Sequence, residues 1–263
     1  MYAFNYERPA NLAAAQALLA AGGNALAGGQ TMIAAMKQRL QQPETVVDLG
    51  GISTLAGIRK EGNAIVIGAM TRHQDVADNA EVRKHIPALA ALADGIGDKQ
   101  IRTMGTLGGS VANNDPAACY PSAVLALGAT VHTDQRTIAA DDFFQGLYTT
   151  ALKAGELITA ISFPIPQKSA YAKFRQPASR FALVGVFVAQ TTGGSRVAVT
   201  GAGNGVFRHP GLESALNTSF TPEAVAQVAI DASQLNADLH ASAAYRANLI
   251  SVQTQRAVKQ ANG

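Results

Sequence analysis

Two paired-glycine segments are the parts of this chain best suited to hold an anion. The first runs Leu26-Ala27-Gly28-Gly29-Gln30-Thr31-Met32-Ile33. The second runs Thr106-Leu107-Gly108-Gly109-Ser110 and continues into Val111-Ala112-Asn113-Asn114-Asp115-Pro116. Paired glycines let the backbone enter conformations closed to other residues and approach a ligand closely. Several amide N–H groups can then converge on one anion, and Thr31 or Ser110 adds a hydroxyl donor. Hydrogen bonds to charged groups contribute about 1.5–3 kcal/mol each. Taken singly, each segment is equally an ordinary turn: strand to helix for the first, an Asx-capped bend before Pro116 for the second. Two such segments in a chain poor in other chemical machinery suggest that both clasp one diphosphate.

Two familiar phosphate cradles are absent. No G-x-G-x-x-G follows a strand with an acidic residue placed to read a ribose. Neither glycine pair is followed by Lys-Ser or Lys-Thr, as a P-loop requires. Cys119 is the only cysteine, so the chain forms no internal disulfide and ligates no iron–sulfur cluster alone. It reads either as a buried small side chain or as a nucleophile, and no histidine stands near it in sequence. His73, His85, His132, His209 and His240 are scattered without metal-ligand spacing, so no metal site is expected. Asp141-Asp142 invites an acid–base reading, against which stands the plainer one of a cap or turn flank before Phe143-Phe144. Arg180-Phe181, between two predicted strands, is a core aromatic or a cover for a planar ligand. Lys99 and Arg102 either bias the field toward an anion or are solvated surface charge.

The elements that must position these segments follow from periodicity. Asn11 caps a helix from Leu12 to Ala21, ended by Gly22-Gly23. A short strand, Asn24 to Ala27, feeds the first glycine segment, and Thr31 to Leu40 reads as a helix. Thr45 to Leu49 is a strand closed by Gly50-Gly51, so the first fifty or so residues form an α/β unit. Ala64 to Ala69 is a further strand, Glu81 to Asp94 is helical across Pro87, and the second glycine segment is a loop before a helix over Pro121 to Leu127. Ala129 to Thr133 and Glu156 to Phe163 are strands, the latter stopped by Pro164 and Pro166. That proline stretch is the best domain boundary. Beyond it lie strands at Tyr171 to Gln176, Leu183 to Thr191 and Arg196 to Thr200, with Gly193-Gly194 as a turn. Helices over Pro222 to Leu235 and Ala241 to Lys259 complete an α+β module.

Composition limits the partners. Hydrophobic residues at 48% and charged residues at 15% place the 263-residue chain among globular proteins. A formal charge of +3, spread thinly apart from Arg83-Lys84-His85, gives no case for nucleic acid. No stretch has the length of a membrane span, and Met1 to Pro9 lacks the layout of a secretion signal. The cytoplasm is the expected address.

At this point the sequence resembles a known family. Ala27-Gly28-Gly29-Gln30-Thr31, Ile96-Gly97-Asp98 running to Arg102, Gly105 to Ser110, Asp115-Pro116-Ala117-Ala118, Tyr120-Pro121 and Ala126-Leu127-Gly128-Ala129 look like the FAD-binding medium subunit of molybdenum hydroxylases. These are the relatives of aerobic carbon monoxide dehydrogenase, xanthine dehydrogenase and bacterial aldehyde oxidoreductases. The likeness covers nearly the whole chain. It implies an α+β protein: a vanillyl-alcohol-oxidase-like (PCMH-type) FAD domain over residues 1–165, in two α/β subdomains at about 1–55 and 56–165, and a smaller α+β domain over 168–263. By similarity, Leu26 to Ile33 and Thr106 to Ser110 hold the diphosphate. Asp115 lies near sugar or ribityl hydroxyls, which the polar run Asn113-Asn114-Asp115 is able to hydrogen-bond. Ile158 touches the flavin, Ile96 is a flanking contact, Arg175 places a basic residue near the ring, and Phe181 covers the isoalloxazine. No residue is expected to be catalytic in its own right, the redox centre being FAD.

One departure stands out. At Cys119 many relatives carry Asp or Glu able to hydrogen-bond the cofactor, so flavin affinity or potential is expected to differ. The resemblance further implies an electron-transfer subunit in a heterotrimer, doubled into a dimer of heterotrimers. A large molybdopterin subunit and a small subunit with two [2Fe-2S] clusters supply the remaining centres. Two alternatives are a structural or assembly subunit with weak or absent flavin binding, and a self-contained flavin oxidase.

Overall fold

A computed structural model describes residues 1–263. At the N-terminus β1 (Asn5–Glu7), α1 (Leu12–Ala20), β2 (Asn24–Leu26), α2 (Met32–Lys37) and β3 (Thr45–Asp48) build a parallel three-stranded sheet in the order β1-β3-β2. Asn11 caps α1 as expected, its Oδ1 accepting from the Ala14 N–H at 2.9 Å. Gly23 has no room for a Cβ, which would lie 2.7 Å from the Val47 side chain. This holds the chain against β3. Helix α2 is shorter than the apolar spacing predicts. Arg39 takes a left-handed conformation (φ 61°) that ends it before Leu40, which is left exposed.

The middle of the chain carries a five-stranded antiparallel sheet, ordered β4-β5-β10-β6-β7. Its first strands are β4 (Ile58–Glu61) and β5 (Ala64–Gly68). Six helices follow: α3 (His73–Asp78), α4 (Ala80–His85), α5 (Pro87–Asp94), α6 (Lys99–Met104), α7 (Leu107–Asn113) and α8 (Tyr120–Ala126). Then come β6 (Thr130–Thr133), β7 (Thr137–Ala139), α9 (Ala140–Phe143), the hairpin β8 (Phe144–Gly146) and β9 (Thr149–Thr150), and β10 (Ile158–Pro164). Pro87 divides the predicted helix in two and opens α5 at its first turn, where a missing N–H costs nothing. Ile65, Ile67, Leu89, Leu92, Leu107, Tyr120, Phe143 and Phe163 are fully buried in one core between sheet and helices.

The last sheet is antiparallel, β11-β12-β13-β14, from β11 (Lys168–Arg175), β12 (Ala182–Thr191), β13 (Gly194–Thr200) and β14 (Phe207–Arg208). One face packs on α12 (Ala243–Asn262) and α10 (Pro210–Thr218); the other sends Phe187, Ala189 and Ala198 into the middle core against α8. The predicted helix over Pro222 to Leu235 is overturned. Only α11 (Pro222–Ala226) forms, and the chain then turns at Asp231 and Asp238, whose carboxylates accept from nearby backbone N–H groups. Arg246 on α12 is buried. It donates to the Leu183 and Gly201 carbonyls at 2.8 Å each and to Asp238 at 2.7 Å, tying α12 to β12 and that irregular segment. No helix is long and apolar enough to cross a membrane.

Candidate functional site

The first glycine segment is a true loop. Between β2 and α2 the N–H groups of Gly28, Gly29, Gln30 and Thr31 donate to no protein acceptor. Gly29 has φ +71°, and a Cβ there would lie 2.5 Å from Ile33 Cδ1. The glycine thus both permits the turn and keeps it open. Thr31 begins α2 without a side-chain cap, leaving its hydroxyl uncommitted.

The second segment is not a loop, which corrects the reading of Thr106 to Ser110 as a bend with free amides. It is the first turn of α7, with Thr106 as N-cap. The Leu107 and Gly108 N–H groups donate to the Thr71 and Ala69 carbonyls at 3.0 and 2.8 Å. The Gly109 N–H goes to Thr106 Oγ1 at 3.2 Å, and the Ser110 N–H to the Thr106 carbonyl at 3.1 Å. Gly108 is small for packing: a Cβ would meet Ala69 Cβ at 2.5 Å and its carbonyl oxygen at 2.8 Å. The Ser110 hydroxyl has no protein partner and is a free donor on the cavity wall.

The two segments abut. A Cβ on Gly28 would run into the Met104 carbonyl and lie 2.7 Å from Gly105 Cα, and one on Gly109 would lie 3.3 Å from Ala27 Cβ. Together they wall a cavity of about 510 Å³, within the range of small-molecule and cofactor sites. Leu26, Ala27, Gly28, Gly29, Gln30, Thr31 and Met32 line it from one side. Thr106, Gly108, Gly109, Ser110, Asp115, Cys119, Ile96, Ile158 and Phe181 line it from the others.

Four expected residues do not line it. Ile33 turns back onto Gly29, and Leu107 is fully buried in the core. Asn114, in a left-handed conformation (φ 44°), is consumed structurally, its Nδ2 donating to the Gly146 and Thr149 carbonyls at 2.8 Å each. Asn113 of the same polar run does line the cavity. Arg175 is exposed on the sheet margin, where the β11–β12 register shifts between Phe174 and Arg175.

Lys173, two residues before Arg175, lines the cavity. From β11 its Nζ donates to the Gly95 and Arg180 carbonyls at 2.8 and 3.0 Å and to Cys119 Sγ at 3.4 Å. Cys119 is 5% exposed, so its thiol is a wall group. Arg180 (φ 62°) donates to the Gly97 carbonyl at 3.3 Å, and Phe181 beside it is 48% exposed. Asp115 Oδ1 is held by the Ala117 N–H at 2.8 Å, while Oδ2 sits 3.4 Å from the Tyr148 hydroxyl and can accept more.

Sequence reasoning missed His73. It lines the cavity, its ring tilted 5.3 Å from that of Tyr120, with Nδ1 buried and unpartnered. Burial, with a smaller push from Arg102, lowers its pKa to about 4, so it is neutral at pH 7. The signal for it, Thr71-Arg72-His73 after an apolar strand, carries no chemistry until the fold brings Gly105 against the imidazole. A Cβ on Gly105 would lie 2.5 Å from His73 Nε2.

The chain is similar to known proteins over nearly its whole length. Residues 2–166 match the family described as the FAD binding domain in molybdopterin dehydrogenase. The nicotine 6-hydroxylase medium subunit of Paenarthrobacter nicotinovorans is 35% identical over 275 residues, covering 98% of this chain and 97% of that one. The carbon monoxide dehydrogenase medium chain of Afipia carboxidovorans is 35% identical over 285 residues, covering 98% and 96%. A chain of carbon monoxide dehydrogenase from Hydrogenophaga pseudoflava superposes with a TM-score of 0.92 at 34% identity, covering 99% and 97%.

Proposed function

The chain belongs to the FAD-binding family of the molybdopterin dehydrogenases, and from that premise we propose that it is the electron-transfer flavoprotein subunit of a heterotrimeric molybdenum hydroxylase. One observation carries the reading: four consecutive N–H groups, Gly28 to Thr31, are free of protein acceptors on the wall of a cavity that both glycine segments share. Such donors suit a diphosphate, and a Cβ at Gly29 would crowd the turn that presents them.

In this proposal Gly28, Gly29, Gln30, Thr31 and the Ser110 hydroxyl hold the diphosphate. Asp115 Oδ2 accepts from sugar or ribityl hydroxyls. Ile96, Ile158 and Phe181 pack on the ring system, and Cys119 with Lys173 meets a polar edge of it. Bound FAD supplies a centre that takes up electrons and releases them one or two at a time. The residues around it bind and orient it, and the apolar wall restricts water.

The domain division at residues 165–168, the vanillyl-alcohol-oxidase-like character of the first domain and a cytoplasmic address belong to the same proposal. So do the partners: a large molybdopterin subunit and a small subunit with two [2Fe-2S] clusters, in a dimer of heterotrimers. The single cysteine of this chain supports placing the clusters elsewhere.

The test is flavin retention and exchange. The purified chain is expected to be yellow, to release FAD on denaturation, and to rebind it. Substrate of the whole complex should bleach the flavin absorbance only when both partners are present. A wild-type chain that neither retains nor rebinds FAD sinks the reading. A colourless complex with full turnover toward artificial one-electron acceptors makes the chain a scaffold instead.

A further inference from the structure

Lys173 is a half-buried cation without a counter-ion. Its three partners are two carbonyls and a thiol, and it takes part in none of the ion pairs of the protein. Arg180, on the same part of the wall, donates to a carbonyl and also lacks a carboxylate partner. Among the residues lining the cavity the only acid is Asp115. A cation drawn out of water without an opposite charge is unfavourable, and an anion delivered beside it recovers that cost. The wall around Lys173 is therefore disposed toward negative charge brought by the ligand.

This step rests on the reading that the cavity holds FAD. Reduction of a flavin by two electrons with uptake of one proton, FAD + 2e⁻ + H⁺ → FADH⁻, leaves one additional negative charge on the ring system. We propose that Lys173, left uncompensated because position 119 carries a thiol and not a carboxylate, makes this chain hold reduced FAD more tightly than oxidised FAD and so raises the potential of the bound flavin. Lys173 is thus a tuning residue, and Cys119 sets how much of its charge the ring feels.

The measurement is the ratio of dissociation constants for oxidised and dithionite-reduced FAD. It is taken anaerobically on the full chain after flavin removal, with the folded state checked by circular dichroism. Lys173→Gln is expected to cut the preference for reduced FAD at least tenfold, equivalent to lowering the two-electron potential by about 30 mV. Cys119→Asp keeps Lys173 and adds the missing carboxylate, and should shift the ratio in the same direction. Lys168→Gln, the same charge change at the exposed far end of β11, should leave the ratio within about twofold. Equal weakening of both forms by Lys173→Gln, or an unchanged or increased preference in Cys119→Asp, overturns the proposal while the FAD reading stands. A wild-type chain that binds neither form overturns the FAD reading and this inference with it.

Discussion

The two glycine pairs look alike in sequence and do opposite things with their hydrogen bonds. At Gly28-Gly29 the chain leaves β2, turns through a positive φ at Gly29, and keeps four N–H groups free. At Gly108-Gly109 every N–H from Leu107 to Ser110 is already taken by Thr71, Ala69 or Thr106. In the first segment glycine permits the turn that leaves the backbone N–H groups unpaired. In the second it removes a Cβ so that α7 can lie on the Ala69 backbone just past β5. Under the proposed function the first pair serves binding, while the second serves the packing that brings the first pair a wall to face.

That contrast can be broken most severely at Gly108. Gly108→Val drives three carbons into Ala69, and overpacking of this kind costs about 3 kcal/mol, or roughly 6–12 °C in melting temperature for a chain of this size. Thermal unfolding of the flavin-free protein measures it. An unchanged melting temperature with lost FAD binding would make the second segment a ligand loop like the first.

His73, which packs on Gly105 just before the second segment, provides a pH test of similar size. Its folded pKa of about 4 lies below the unfolded value of 6.5, so the unfolded chain binds more protons between those values. Stability from this group is complete above pH 6.5, falls as the pH drops toward 4, and loses nothing further below. The total is on the order of 3 kcal/mol. Denaturant unfolding at pH 7, 6 and 5 should show the slope in wild type and a flatter one in His73→Gln.

Gly28→Ala tests the first segment. Its Cβ meets the Met104 and Gly105 backbone, which cannot step aside as a side-chain tip can. Displacing two charge-assisted hydrogen bonds should weaken FAD binding about a hundredfold or more, read by fluorescence titration. Ser110→Ala removes a hydroxyl donor with no protein partner from the second segment and should cost about tenfold in the same titration. Thr106→Ala is the smallest change: loss of the N-cap to Gly109 lowers stability by about 1 kcal/mol. A larger effect on FAD affinity than on stability there would shift α7 from support to contact.

Local signals were legible where one short stretch settles the matter. Asn11 caps α1, Pro87 opens α5, and the alternation of Ile65 and Ile67 in β5 needs no distant partner to be read. Elements with weak local signals escaped notice. β4 is a charged edge strand, Ile58-Arg59-Lys60-Glu61, α3 is mostly polar, and α10 begins after a histidine cap that resembles a turn. The extended helix predicted after Pro222 failed because apolar residues at Val228, Ile230 and Leu235 pack as an irregular segment against the last core.

The site divides in the same way. Residue type and spacing determined that glycine pairs, small hydroxyls and one acid are available, and most of the site residues implied by the resemblance they carry do line the cavity. Only the tertiary structure decided which donors remain free and which charges remain unpaired. The acceptors that silence the second segment, Ala69 and Thr71, lie far from Leu107 and Gly108 along the chain, as Gly95 and Cys119 do from Lys173. A hydrogen bond or an ion pair is a property of two groups brought together. A sequence names each group, and the folded packing determines whether its partner is protein or ligand.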